Sequence, residues 1–323
     1  MRLIIKKDKN QAGEYIAKYL KDRIKGFVPT PTRPYLVLGL PTGSSPLPIY
    51  KLLVEYHKAG ELSFKHVATF NMDEYLGLDK KHPFSYHYFM HENLFNHIDI
   101  DHRNVHILNG MASDATVECE NYEKTIESYG GIDIFLGGMG VDGHIAFNEP
   151  GSSLASRTRL KSLTRETILV NSRFFDNVSQ VPTQALTVGV GTILDAREVI
   201  LIVTGHSKAM ALYKTIEEGV SHMWTASALQ MHKRAMIICD EEAIDELKIK
   251  TIDVKYNNNN FNVLHSLGVK SLRETPKSKV TVSKSFAFAQ VPFAVLKDWR
   301  STIKESFPHH HLNHHHLINH KYK

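Results

Sequence analysis

Four short stretches of the chain carry residue types that chemistry needs. The first, Gly39-Leu40-Pro41-Thr42-Gly43-Ser44-Ser45-Pro46, sets glycines and small hydroxyl side chains between an apolar run and an amphipathic one. Backbone N–H groups at a helix N-terminus attract anions, so this loop reads either as a phosphate site or as an ordinary capped turn. It is too short between Gly39 and Gly43 for a Walker loop and no lysine follows it, which argues against a nucleoside triphosphate. The second, Phe70-Asn71-Met72-Asp73-Glu74-Tyr75, brings two carboxylates to the end of an apolar run. A carboxylate held there among apolar neighbours has its pKa raised and suits a general base, while a helix cap or surface turn would use the same residues.

The third stretch runs from Gly137 to Pro150. Gly138, Gly140 and Gly143 match the GxGxxG spacing of a dinucleotide site, but Pro150 and Gly151 interrupt the chain before a long helix could open from the third glycine. The match is therefore read as accidental. What remains is Asp142, His144 and Glu149 on one loop, the composition of a histidine acid–base oriented by carboxylates. A divalent metal is the rival reading; one histidine with two carboxylates lacks an evident further ligand, so no metal is expected. A purely structural histidine is the third reading. The fourth stretch, Asn171-Ser172-Arg173-Phe174-Phe175, joins Lys208 in offering a guanidinium fork and a point charge to a phosphate, or else solvated surface charge.

Positioning these loops requires a scaffold, and the hydrophobic periodicity supplies one. Short apolar runs at Leu3–Ile5, Tyr35–Leu40, His66–Asn71, Asn104–Ile107, Ile132–Leu136, Glu198–Thr204 and Ala235–Cys239 read as strands. Between them Gln11–Ile24, Pro46–Lys58, Ser85–Phe95, Asp114–Tyr129, Ser207–Glu218 and Glu241–Leu247 place apolar residues three and four apart, as helices do. This alternation predicts an α/β fold, a Rossmann-like open and mostly parallel sheet with helices on both faces. Ligands of such sheets bind at the carboxyl ends of the strands, where all four stretches fall.

Composition narrows the class. With 323 residues, 42% hydrophobic and 23% charged, the chain is an ordinary globular one. Its net charge of +5 is localised: residues 255–323 hold 11 of the 39 Lys+Arg and 3 of the 34 Asp+Glu, leaving 28 against 31 in the first 254. A mildly acidic body argues against a nucleic-acid partner. The basic segment also carries the Asn257–Asn260 run and seven histidines between His309 and His320, so residues 1–254 read as the domain and 255–323 as a low-complexity tail, largely disordered. Ser285–Trp299 is its one moderately apolar piece. No window approaches about 20 unbroken apolar residues, and Met1-Arg2-Leu3-Ile4-Ile5 runs straight into charge, so neither a membrane span nor a signal peptide is expected. Two distant cysteines, Cys119 and Cys239, fit a reduced, cytoplasmic setting without a disulfide.

Taken together, Leu40–Gly43, Phe70–Tyr75, Gly140–Pro150 and Asn171–Phe175 resemble the glucosamine-6-phosphate deaminases, from Met1 to about Thr251. The 6-phosphogluconolactonases share the Asp-Gly-His core but not the Phe-Asn-Glu-Pro continuation of Phe147–Pro150. The resemblance implies conversion of glucosamine 6-phosphate to fructose 6-phosphate and ammonia, with no cofactor. It assigns Asp73 as the base that moves a proton between C2 and C1, and His144 as the ring-opening acid–base oriented by Asp142 and Glu149. Thr42, Gly43, Ser44, Ser45, Arg173 and Lys208 would hold the 6-phosphate. It further implies a mobile lid over about 163–182, a homohexamer, and activation by N-acetylglucosamine 6-phosphate at Ser152, Ser153, Arg159 and Lys161. One departure is Val254, where the family has a tyrosine at the activator site, with Tyr256 two places on. A lactonase-like hydrolase and a non-catalytic sugar-phosphate sensor are the competing readings; the first needs no C2 base, and the second has no chemical need for Asp73, His144 and Glu149 together.

Overall fold

The structure, a computed structural model, describes residues 1–172, 175 and 177–248. Arg173, Val254, Tyr256 and the segment 255–323 lie outside them. In chain order the elements are β1 (Arg2–Lys6), α1 (Lys9–Lys25), β2 (Leu36–Leu40), α2 (Leu47–Lys58), β3 (Val67–Asn71), β4 (Asp73–Tyr75), α3 (Tyr86–Asn93), β5 (Val105–His106), α4 (Ala115–Ser128), β6 (Ile134–Gly138), β7 (Arg159–Ser162), α5 (Arg165–Asn171), β8 (Gln184–Thr187), α6 (Val190–Leu194), β9 (Glu198–Val203), α7 (Ala209–Ile216) and β10 (Ala235–Asp240).

Seven strands form one sheet in the order β1-β10-β9-β6-β2-β3-β5, every neighbouring pair parallel. All seven correspond to apolar runs read from the sequence. The strands β2, β3, β9 and β10 are buried at every residue, because helices cover both faces and leave no wet side. Successive residues alternate between two apolar cores: Val199, Leu201 and Val203 of β9 join one, Ile200 and Ile202 the other. Helix α1 shows the complementary logic. Ala12, Ile16, Ala17, Leu20 and Ile24 are buried along one face, Asp8 caps the start by accepting from the Asn10 and Gln11 N–H groups, and Arg23 and Lys25 occupy the last turn.

From β2 the chain builds outward through β3 to β5, then returns to place β6 on the other side of β2. The direction of winding therefore reverses between β2 and β6, which opens a crevice at their carboxyl ends. The four candidate loops follow β2, β3, β6 and β9, adjacent strands around that crevice, apart from the Asn171–Phe175 segment beyond α5.

Two features differ from the periodicity. A second sheet, β4-β8-β7, is antiparallel and built of strands of three or four residues, too short to show alternation. Glu241–Leu247 makes only a 3-10 turn at Glu242–Ile244: the Ile244 and Leu247 N–H groups pair with carbonyls three residues back, and Asp240 takes the Ala243 N–H. No helix among the described residues is long and apolar enough to cross a membrane.

Candidate active site

Asp73 opens β4 immediately after β3 ends, and only 6% of it is exposed. No ion pair reaches it among the described residues. Burial, reinforced by the charge of Glu74, pushes its carboxyl well above the usual range. Tyr50, Tyr75, Tyr86 and Tyr122 lie close enough to feel it; burial first and the Asp73 charge in part raise each phenol, so they stay protonated. An unpaired carboxylate kept this dry has the proton affinity of a base.

The loop after β6 holds the histidine. His144 Nδ1 lies 2.6 Å from Asp142 Oδ1, an ion-pair distance, with the carboxylate off the ring N–H direction, so Nδ1 makes no aligned hydrogen bond. Burial opposes ionisation of Asp142, but the contact with His144 outweighs it and leaves the carboxyl below its ordinary value. The glycines serve this pair. A Cβ on Gly140 would sit 2.4 Å from the His144 ring and 2.6 Å from Asp142 Oδ1. Gly143 has φ +73 and packs where a Cβ would meet the Trp224 ring at 2.6 Å. The loop then turns tightly from Ile145 to Asn148 through Ala146, a non-glycine at φ 53.

Glu149 departs from the role expected of it. Its buried carboxylate makes no ion pair with His144; it accepts from Thr164 N–H (3.0 and 3.2 Å), Thr164 Oγ1 (2.9 Å) and Thr167 Oγ1 (2.5 Å). Thr164 is the N-cap of α5, so the carboxylate is held at the start of this helix by one backbone N–H and two threonine hydroxyls rather than by the imidazole. Glu149 thus ties the His144 loop to the segment carrying Asn171.

Residues that sequence reasoning missed bind the loops together. Thr187, opposite Asp73 in the β4–β8 ladder, accepts from the Phe147 N–H at 3.1 Å. Val188 donates to the Met72 carbonyl at 2.8 Å and its own carbonyl accepts from Asn148 Nδ2 at 2.9 Å. Thr225 Oγ1 donates to the Asn148 carbonyl at 2.6 Å. The end of β8 therefore couples the Asp73 loop to the His144 loop. Above it, Tyr75, Phe147, Leu163 and Ala185 form a small separate core joined by Tyr86, Ile168 and Phe175, and Asn171 Nδ2 donates to Tyr75 Oη at 2.8 Å.

On the phosphate side, Gly43 has φ +97 and α2 begins at Leu47 without a side-chain cap, so the loop holding Thr42, Ser44 and Ser45 faces an open helix N-terminus. Lys208, half-buried, ends the 3-10 turn after β9. Arg173 lies outside the described residues. Of the positions expected to hold an activator, Ser152 is buried and its Oγ has no hydrogen-bond partner among the described residues, Ser153 Oγ accepts from Ala155 N–H, and Arg159 and Lys161 share a face of β7. Arg159 donates to Asn148 Oδ1 at 2.9 Å, reaching the catalytic loop.

The family model for glucosamine-6-phosphate isomerases/6-phosphogluconolactonase matches residues 7–238. Glucosamine-6-phosphate deaminase of Dictyostelium discoideum is 68% identical over 255 residues, which cover 78% of this chain and 95% of that protein. Glucosamine-6-phosphate deaminase 2 of Xenopus tropicalis is 60% identical over 253 residues, 78% of this chain and 92% of that one. Among solved structures, a monomeric glucosamine-6-phosphate deaminase superposes with TM-score 0.73 at 38% identity, covering 76% of this chain and all of its own. A Trypanosoma cruzi 6-phosphogluconolactonase, at TM-score 0.62 and 23% identity over 76% of this chain and 97% of its own, shares the fold.

Proposed function

The chain belongs to the glucosamine-6-phosphate isomerase/6-phosphogluconolactonase family, and from that premise we propose how its residues act. It is an enzyme acting on an amino sugar phosphate, a glucosamine-6-phosphate deaminase by its similarity to relatives at 56–68% identity. Glucosamine 6-phosphate and water give fructose 6-phosphate and ammonia. His144 relays a proton from the anomeric hydroxyl to the ring oxygen, and Asp142 beside it stabilises the imidazolium. Asp73 takes the C2 proton and returns one to C1, which leaves an imine at C2; water adds there and ammonia departs. Thr42, Gly43, Ser44, Ser45, Arg173 and Lys208 hold the 6-phosphate, whose remote binding energy positions C1 and C2 over Asp73. No cofactor enters this chemistry.

The observation that carries the assignment is Asp73, a buried carboxylate at the carboxyl end of β3 with no cation paired to it among the described residues. The test is an assay with purified protein. Ammonia and fructose 6-phosphate appearing from glucosamine 6-phosphate is the expected result; hydrolysis of 6-phosphogluconolactone without deamination would make it a lactonase, and binding without turnover a sensor.

Regulation follows the same premise. N-acetylglucosamine 6-phosphate acts as activator at Ser152, Ser153, Arg159 and Lys161 in a homohexamer, a reading supported by the orphaned Ser152 hydroxyl and by the Arg159–Asn148 hydrogen bond into the catalytic loop. With Val254 in place of the family's tyrosine, activation is weak. The segment around 163–182 closes over the substrate, and the body 1–254 carries the activity without the tail, in a cytoplasmic setting.

A further inference from the structure

Glu74 is among the most deeply buried charged side chains of the described residues, 2% exposed, yet the reaction gives it no task. Alternation along β4 puts Asp73 and Tyr75 on one side and Glu74 on the other. On that other side its carboxylate meets the start of α3. Oε1 accepts from the Tyr86 N–H at 2.9 Å and from the adjacent Tyr75 N–H at 2.8 Å; Oε2 accepts from the His87 N–H at 2.8 Å. Tyr86 and His87 are the first two residues of α3, and the Ser85 hydroxyl takes the third N–H, that of Tyr88. The orphan donors of the first turn are thus met by two side chains, one of them charged and at the positive end of the helix dipole. Gly110 packs from behind, leaving only 3.4 Å between a would-be Cβ and Glu74 Cγ. Three backbone hydrogen bonds and this packing leave the carboxylate nowhere else to go.

We infer that Glu74 is a positioning residue for Asp73: it clamps the three-residue strand β4 to the N-terminus of α3 and, as a carboxylate held one residue away, strengthens Asp73 as a base. The inference rests on the reading of Asp73 as the proton-transfer base. The groups around the pair leave Glu74 as the charge that matters. Asp73 is faced by Tyr50 from α2, Tyr75 from β4, Tyr86 from α3 and Tyr122 from α4, all neutral. Glu74 is faced by Tyr75 and Tyr86, and the other titratable groups near the start of α3 are His87 in its first turn and His91 in its second, with Lys80 and Asp79 on the preceding loop. Burial holds Glu74 up, its three backbone hydrogen bonds pull it down, and the balance leaves it at about 7, so near and above neutrality its charge bears on Asp73.

The test is the pH dependence of kcat/KM in three variants of the full chain. Glu74→Gln keeps Oε1 as an acceptor for Tyr75 and Tyr86 but removes the charge, and its acid limb should move down by about one pH unit. Glu74→Asp keeps the charge on a shorter stem; its limb should stay while kcat falls several-fold with KM little changed. An unmoved limb in a folded Glu74→Gln protein overturns the inference. If that variant does not fold, Glu74→Asp decides, since an unchanged kcat there overturns the clamp. Asp73→Asn separates the two readings: an active Asp73→Asn sinks Asp73 as the base, whereas an inactive one beside an unmoved Glu74→Gln limb sinks only the role of Glu74.

Discussion

The sheet buries carboxylates at both ends and treats them in opposite ways. At the amino ends of β6 and β9, Asp133 and Glu198 are 2% and 1% exposed, and each is held by two arginines. Arg33 and Arg197 pair with Asp133, which also takes the Val37 N–H at 2.9 Å; Arg23 and Arg234 pair with Glu198, which also takes the Tyr19 hydroxyl at 2.6 Å. At the carboxyl end of β3, Asp73 and Glu74 are as buried and have each other instead of a cation. Burial opposes ionisation at both ends. Arginine neighbours outweigh it at Glu198, whose pKa falls below the usual range, while at Asp73 burial and a like charge act together and raise it. Two carboxylates shielded from solvent therefore end as a stabilising ion pair at one end of the sheet and as a carboxyl of high proton affinity at the other, and the neighbours beside them set the direction of the shift.

The sharpest way to break this contrast is Asp73→Asn. The amide is nearly isosteric but accepts no proton, so turnover should fall by about 10²–10⁴-fold while sugar-phosphate binding persists. The sign of the stability change matters as much. A carboxyl whose folded pKa is raised costs stability once pH exceeds its unfolded value, so removing the charge should raise Tm at neutral pH and leave it unchanged in acid. A scanning calorimeter would show it, and a lower Tm at pH 7.5 would mean that Asp73 is a structural residue like those at the other end.

Next in size is His144→Gln, which should slow turnover of the cyclic substrate by about 10²-fold. A substrate analogue unable to cyclise should recover part of that loss, because it needs no ring opening. Equal losses on both would move His144 to another step.

At the arginine end, Glu198→Gln should cost about 1–3 kcal/mol in urea unfolding, since Arg23 and Arg234 stay partly exposed and re-solvate, and should leave kcat near the parent's. Glu198 has a depressed folded pKa, so its contribution is present above the unfolded value and is lost as pH falls below about 4. The parent–variant gap should therefore close in acid. A gap that widens there would contradict the pairing. The smallest expected effect is truncation: a chain ending at Lys255 should keep its rate within about twofold, because the catalytic assignments all precede residue 210. Loss of folding would tie the tail to the body, and retention on immobilised nickel should drop with its seven histidines.

The large sheet was legible in the sequence because its inner strands are mostly apolar runs buried on both faces, and such a run needs no knowledge of its neighbours to be recognised. The loops that carry Asp73 and His144 were legible too, because they follow the apolar runs of β3 and β6 and are marked by their glycines and charged residues. Glu149 was assigned to His144 on sequence proximity, and the fold gave it instead to Thr164 and Thr167, fifteen and eighteen residues on. Glu74 looked like a second copy of Asp73, and the fold turned it into the anion of α3. Strands β4, β7 and β8 left no periodic signal at three or four residues each, yet Thr187 and Val188 at the end of β8 are what join the two catalytic loops. By itself, then, the sequence determined the sheet, the loops and the kinds of side chain they present, because hydrophobic period and local turn chemistry act between near neighbours. Only the tertiary structure decided which carboxylate becomes a base, a cap or half of an ion pair, because proton affinity depends on burial and on charges brought close from distant parts of the chain.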